Sequence, residues 1–104
     1  MRVVFFGTPR FAAEILRYLV QHGVTPVAIV TKEDKAVGRS STLRPPAVKE
    51  TAHELKLDIP IYQPKRVSTE EMEAKLISHK PDLFVVVAYG EIVKQNILDI
   101  PTKG

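Results

Sequence analysis

The sequence predicts an α/β domain built on a doubly wound, Rossmann-like parallel sheet with helices on both faces. Residues 83–89 form a run without charge or amide, and strand-like and helix-like segments alternate along the 104 residues. A strand that is apolar on both sides is typical of a parallel sheet covered by helices on both faces. The alternation favours right-handed crossovers between parallel strands.

The first strand and helix are predicted over residues 2–21. Four consecutive apolar residues within 2–6 indicate a buried strand. We expect Thr8 to cap the following helix, Pro9 to be its first residue, and Gly23 to end it in a left-handed conformation. The apolar positions of this helix recur at helical spacing and predict a single buried stripe. The stripe consists of Phe11, Ala12, Ile15, Leu16, Leu19 and Val20.

The middle of the chain is predicted to contain two more strands, a long loop and a helix. Residues 24–30 indicate the second strand, and residues 31–44 lack apolar periodicity and read as a loop. Loops of about 12–15 residues inside compact domains are uncommon and usually functional or mobile. A helix begins near residues 45–46 and carries Val48, Ala52 and Leu55 on one face. Pro60 favours an edge position for the third strand, residues 59–62.

The last part is predicted to hold a capped helix, the central strand and a short helix. Ser68 and Glu71 form a capping box, so we expect Ser68 to be the N-cap. Met72, Leu76 and Ile77 are expected to face inward, and residues 91–98 read as the final helix. If the strand order is 3-2-1-4, the loops 7–9 and 89–91 face each other across the crevice where ligands bind in such sheets.

Composition narrows the class of protein. The chain is long enough for one small domain, and the absence of cysteine excludes disulfides and thiolate chemistry. No apolar run approaches the roughly 18 residues of a membrane span, and no signal peptide is evident, so a cytoplasmic protein is expected. Residues 32–49 contain five basic and two acidic residues. Their net charge of +3 equals the net charge of the whole chain. A phosphate-bearing partner would meet this segment first, although ordinary solvated lysines explain it as well.

The residues alone define a crevice without an obvious catalytic group. A dinucleotide fingerprint is absent, because Gly7 is followed by residues 8–11 without the second and third glycines. His22, His53 and His79 have no metal-ligand spacing, so no metal site is predicted. Glu91 follows the central strand directly, but an N-terminal helix carboxylate explains it equally well.

Specific strings resemble the methionyl-tRNA formyltransferases. The match is carried, in order and over the whole chain, by VFFGTPRFA (4–12), VTKEDKAVGR (30–39), PAVK (46–49), PDLFVVVAYGEI (81–92) and DIP (99–101). The resemblance implies the formyltransferase fold and the transfer of a formyl group from 10-formyltetrahydrofolate to the amino group of methionine on initiator tRNA. It implies folate binding by Tyr89, Gly90, Glu91, Ile92 and Val93, and tRNA binding by Lys35, Arg39 and Arg44.

The resemblance also implies how the chain is organised. Residues 1–104 match the N-terminal part of a folate-dependent formyltransferase domain, with the rest of the catalytic domain and a C-terminal tRNA-binding domain absent. The family's catalytic Asn, His and Asp match no position here, and Asn96, His79 and Asp99 lie outside those motifs. These residues alone are therefore expected to be inactive and to self-associate through an uncovered sheet edge.

Two alternatives stay open at this point. Another folate-dependent formyltransferase could share the fold and the folate loop but use a nucleotide-sugar amine or a glycinamide ribonucleotide as acceptor; Gly38 and Arg39 favour tRNA. A non-enzymatic nucleic-acid-binding module could use residues 32–49, and steep salt dependence without folate affinity would favour it.

Overall fold

The computed structural model describes residues 1–37 and 42–102, with the exception of the Val37 side chain. Arg39, one of the predicted tRNA-binding residues, lies outside this part of the chain. The elements follow one another as β1 (Val3–Gly7), α1 (Arg10–Gln21), β2 (Ala28–Val30), β3 (Lys35–Val37), β4 (Thr42–Arg44), α2 (Ala47–Glu54), β5 (Ile61–Tyr62), α3 (Glu70–Ser78), β6 (Leu83–Val87) and α4 (Gln95–Leu98).

The main sheet contains four parallel strands in the order β5-β2-β1-β6. This order confirms the prediction that the first and fourth predicted strands are neighbours. β1 is paired on both sides, with Phe5 in register with Ile29 of β2 and with Val85 of β6. The loops that follow the carboxyl ends of β1 and β6 therefore lie side by side, at the switch point of a doubly wound sheet.

Helices cover both faces of the sheet, as predicted. On one face, Phe6 packs in a cluster with Met72 of α3 and Ile97 of α4. On the opposite face, Phe5 packs with Leu16 of α1 and residues of α2. All five residues of β1 are buried, because successive side chains point to opposite faces and both faces are covered.

Gly7 allows three elements to meet at the end of β1. A Cβ added there would lie 2.7 Å from Ala12 Cβ of α1 and 2.9 Å from the carbonyl oxygen of Val87 in β6. Because the Val87 oxygen belongs to a paired backbone, it cannot move aside cheaply. Glycine at this position therefore lets α1 and β6 pack closely against the end of β1.

Helix boundaries and faces differ from the predictions at several residues. Pro9 is the N-cap of α1, without a side-chain cap, so the prediction of Thr8 as the cap is wrong. Thr69 caps α3 instead of Ser68 and accepts a hydrogen bond from Met72 N–H at 3.2 Å. Phe11 is 64% exposed and Ile77 is 54% exposed, so neither faces inward.

The predicted long loop contains a second, two-stranded sheet. β3 and β4 pair antiparallel, with Lys35 opposite Arg44. The second strand and the last helix are also shorter than predicted. β2 covers only Ala28–Val30, and α4 covers only Gln95–Leu98. None of the helices within residues 1–37 and 42–102 has the length and apolar character that a membrane span requires.

β6 is an edge strand that is only partly covered. It pairs with β1 on one side, and no described strand pairs with its other side. Val86 is 46% exposed, so burial of the whole strand on both faces was predicted incorrectly. Unpaired strand edges promote association with other chains.

Self-association through β6 stays a prediction, and Val86→Lys tests it. A charge on this exposed side chain of the edge strand is expected to oppose strand pairing and to lower the association constant. Because Val86 is already 46% exposed, the substitution should not unfold the protein. Sedimentation velocity over a range of protein concentrations measures the effect. Ile77→Lys, on an exposed helix face, is the matched control. An unaltered protein that stays monomeric at high concentration would contradict the prediction.

Candidate functional site

The candidate site lies where the carboxyl ends of the parallel strands meet. The loop after β1 and the loop after β6 were predicted to face each other, and a direct hydrogen bond confirms it. The Thr8 hydroxyl donates to the carbonyl oxygen of Tyr89 at 2.6 Å. This bond joins residues 81 positions apart in the sequence. The loops after β1 and β6 are therefore bonded directly to each other.

Thr8 also connects the crevice to β2 and α2. Its hydroxyl oxygen accepts a hydrogen bond from Lys32 N–H at 3.3 Å. Its carbonyl oxygen accepts from Val48 N–H of α2, also at 3.3 Å. One side chain thus links the loops after β1, β2 and β6, which explains why it does not cap α1.

Tyr89 contributes its ring to the core beneath the crevice. The side chain is buried, and its ring meets the Phe6 ring edge-on with centroids 5.7 Å apart. Its hydroxyl has no hydrogen-bond partner within the described residues. Burial, and secondarily the Glu91 carboxylate, raises the pKa of the Tyr89 phenol. The buried ring of Tyr89 therefore anchors the loop after β6 to the core.

Glu91 fixes the loop after β6 to two other segments. One carboxylate oxygen accepts from Val67 N–H at 3.0 Å, and the other lies 3.5 Å from Lys32 Nζ. Lys32 Nζ in turn lies 5.7 Å from the centroid of the Tyr89 ring. Because α4 begins only at Gln95, the alternative explanation of Glu91 as an N-terminal helix carboxylate is wrong.

Gly90 and Ile92 form the exposed part of the same loop. Gly90 has φ +101°, a conformation that favours glycine, and its backbone is exposed. Ile92 is 83% exposed, whereas Val93 is half-buried and packs against the core cluster around Phe6. The Gly90 backbone and the Ile92 side chain are therefore the accessible parts of this loop.

The paired strands β3 and β4, here called the hairpin, carry the predicted tRNA-binding residues that the structure describes. Lys35 and Arg44 are both exposed and stand opposite each other in the antiparallel pair. Opposite residues in such a pair lie on the same face, with Cβ atoms about 4.5–5.5 Å apart. Two like charges side by side attract an anion such as a phosphate.

A network of three side chains beside the crevice was missed from the sequence. Gln63 Nε2 donates to Asp34 Oδ1 at 2.7 Å, and Lys49 Nζ donates to Gln63 Oε1 at 2.9 Å. Lys49 Nζ also lies 3.4 Å from Asp34 Oδ1. No spacing in the sequence indicates this group, because the sheet topology brings its members together.

The Asp34 carboxyl is held in its charged form. The hydrogen bond from Gln63 has the largest effect and lowers the pKa of Asp34 below its ordinary value. Partial desolvation opposes this effect, and Lys49 adds to the lowering through a hydrogen bond and its charge. The network is therefore built around a carboxylate and not around a neutral acid.

The lowered pKa of Asp34 predicts a pH-dependent stability difference. Since its folded-state pKa lies below the ordinary 3.8, the stabilisation is present above that pH and is lost as pH falls through the folded-state value. The difference in unfolding free energy between the unaltered chain and Asp34→Asn is expected to be constant from about pH 7 to 5 and to shrink below about pH 4. Urea unfolding at a series of pH values measures it. A difference that is independent of pH down to about pH 3 would contradict the prediction.

The residues that resemble catalytic types are engaged elsewhere. Asn96 Nδ2 donates to a Glu73 carboxylate oxygen at 2.8 Å, and Asp99 accepts from Gln95 Nε2 at 2.6 Å. His79 Nε2 lies 2.8 Å from the Tyr62 hydroxyl, and burial lowers the pKa of its imidazole, with the Arg2 charge acting in the same direction. The described part of the chain holds no group of three or more His, Asp or Glu side chains that could bind a metal ion.

Comparison with known proteins finds similarity over the whole chain. The family model described as "Formyl transferase" matches residues 1–104. The methionyl-tRNA formyltransferase of Protochlamydia amoebophila is 48% identical over 104 residues, which are 100% of this chain and 32% of that protein. The methionyl-tRNA formyltransferase of Pseudomonas entomophila is 49% identical over the same 104 residues, or 33% of its length. The chain thus spans about a third of the length of these relatives.

Proposed function

Because this chain belongs to the formyl transferase family, we propose that its crevice serves the transfer of a formyl group from 10-formyltetrahydrofolate to the amino group of methionine on initiator tRNA. The observation that carries the proposal is the identity of 48–49% over all 104 residues with proteins named methionyl-tRNA formyltransferase. The hydrogen bond that joins the loops after β1 and β6 lies at the switch point, where such sheets bind ligands, and supports the proposal independently.

The loop after β6 is the proposed folate-binding element. Tyr89 and Glu91 anchor it, through a buried ring and through the bonds to Val67 and Lys32. Gly90 and Ile92 are the accessible members, offering backbone groups to the edge of the pterin and an apolar surface to its ring. Val93 supports the loop from the core side. A preorganised loop loses little freedom on binding, which favours affinity.

The hairpin is the proposed acceptor-binding element. Lys35 and Arg44 are exposed basic residues that stand opposite each other, and Arg39 belongs to the same segment of the sequence. Contacts of this kind neutralise phosphates and release counterions, so the affinity for tRNA should fall steeply with salt concentration. The basic segment 32–49 is the part of the chain that carries the net charge of +3, which supports the assignment.

We propose no catalytic residue within this chain. His79, Asn96 and Asp99 match none of the family's catalytic motifs. The side chain of each is hydrogen-bonded to a residue outside the loop after β6. We therefore propose residues 1–104 as the N-terminal part of a folate-dependent formyltransferase domain that acts in the cytoplasm. These residues alone are expected to bind the donor and the acceptor without turnover.

Two binding measurements on the 104-residue chain test the proposal. Calorimetry with 5-formyltetrahydrofolate, a chemically stable relative of the donor, is expected to give saturable binding. Fluorescence anisotropy with labelled initiator tRNA is expected to give an affinity that falls with salt. Folate binding combined with preference for a nucleotide-sugar amine or glycinamide ribonucleotide would instead identify another acceptor. Salt-dependent tRNA binding without folate binding would leave only a nucleic-acid-binding module.

A further inference from the structure

The network of Asp34, Lys49 and Gln63, here called the clasp, uses every polar group of its central amide. Gln63 Nε2 donates to Asp34 Oδ1 at 2.7 Å and to the backbone oxygen of Lys32 at 3.0 Å. Gln63 Oε1 accepts from Lys49 Nζ at 2.9 Å. An amide turned the other way would point its donors at the ammonium group, so the surroundings dictate this orientation.

The clasp joins both ends of the hairpin to the main sheet. Asp34 is the residue directly before β3, and Lys49 lies in α2, shortly after β4 ends. Gln63 directly follows β5, the edge strand beside β2. Of the two short hairpin strands, β4 is exposed along its entire length. Little apolar burial of β4 is therefore available to orient the hairpin, and the polar bonds of the clasp restrain it at its base.

We propose that Gln63, together with Asp34 and Lys49, positions the hairpin beside the crevice and thereby sets the affinity for the tRNA acceptor. The proposal rests on the proposed function insofar as the hairpin binds tRNA. Lys35 adjoins Asp34 and stands opposite Arg44, so a change of orientation at the clasp moves both cations together relative to the crevice. Gln63 is then a positioning residue that contacts neither substrate.

Distances between spin labels report the hairpin orientation directly. The chain contains no cysteine, so Leu43→Cys in β4 and Tyr18→Cys in α1, both at exposed positions, give a uniquely labelled pair. Gln63→Leu removes all three bonds of the amide while keeping a side chain of similar size. It is expected to broaden the distance distribution, to weaken initiator tRNA binding about tenfold, a change of about 1.4 kcal/mol, and to leave 5-formyltetrahydrofolate binding unchanged.

Gln95→Leu is the matched control. Gln95 Nε2 also donates to an aspartate oxygen, Asp99 Oδ1 at 2.6 Å, but it lies in α4, away from the hairpin. This variant is expected to change neither the distance distribution nor tRNA binding. Lys49→Met removes the contacts of the α2 side chain with Gln63 and Asp34. It serves as a second variant if Gln63→Leu folds poorly.

The outcomes separate the clasp from the proposed function. A sharp, unchanged distance distribution in Gln63→Leu and Lys49→Met would overturn the clasp. A broadened distribution with unchanged tRNA affinity would support the clasp as a restraint on the hairpin and overturn its effect on the acceptor. If the unaltered chain bound no tRNA, the proposed function would fail, and the distance distribution alone would decide whether the clasp orients the hairpin.

Discussion

Phe6→Ala is expected to lower the free energy of unfolding by about 3–5 kcal/mol, the usual cost of truncating a buried phenylalanine. Phe6 is fully buried in β1, and its ring centroid lies 4.9 Å from that of Phe84 and 5.7 Å from that of Tyr89. Small domains are stable by only about 5–15 kcal/mol, so this one change removes a large part of the total. Urea unfolding followed by circular dichroism measures the loss.

Phe11→Ala provides the control for the same chemical change. Phe11 is 64% exposed at the start of α1, so its truncation removes little buried area. Its effect is expected to stay within about 0.5 kcal/mol, as is usual for surface substitutions. Equal losses for the two variants would mean that the two phenylalanines are buried alike, which would contradict the arrangement of α1 on the sheet.

The sheet could be predicted because burial on both faces leaves a direct trace in the sequence. β1 appears as consecutive apolar residues, and the alternation of strands and helices restricts the possible topologies to a few. The order β5-β2-β1-β6 then follows from the doubly wound pattern. The predicted and the observed strand orders therefore agree.

The hairpin and the exposed helix residues could not be predicted for a different reason. The three residues of β4 are all exposed, so no apolar alternation distinguishes this strand from a loop. Phe11 and Ile77 were assigned to the inward faces of their helices together with Ala12 and Leu76, and only the latter two are buried. Successive helical residues are about 100° apart around the axis, and the buried neighbours Ala12 and Leu76 already occupy the inward direction.

The juxtaposition of the loops after β1 and β6 could be predicted from the strand order, whereas the hydrogen bonds that join them could not. Local rules assigned Thr8 to capping α1, but a carbonyl 81 positions away offers it a stronger, partly buried bond. The clasp joins residues 14 to 29 positions apart, so only the folded chain reveals it.

Thr8→Val is expected to weaken binding of 5-formyltetrahydrofolate about tenfold or more. Valine has nearly the shape of threonine, so packing at the end of β1 is retained while the hydroxyl is lost. The Tyr89 carbonyl and the Lys32 N–H then lose their shared partner, at a cost of about 1–3 kcal/mol for part-buried polar groups. Since about 1.4 kcal/mol is a factor of ten in affinity, loosening the loop that carries Gly90 should be measurable by calorimetry.

Thr8→Ser separates the hydroxyl from the methyl group. Serine keeps the donor to Tyr89 and the acceptor for Lys32, so folate affinity is expected to return close to that of the unaltered chain. Hydrogen exchange at the Gly90 and Glu91 amides should accelerate in Thr8→Val and not in Thr8→Ser, because only the former releases the loop after β6. Equal folate affinity in Thr8→Val and the unaltered chain would show that the hydroxyl bridge is not what holds the crevice in its binding form.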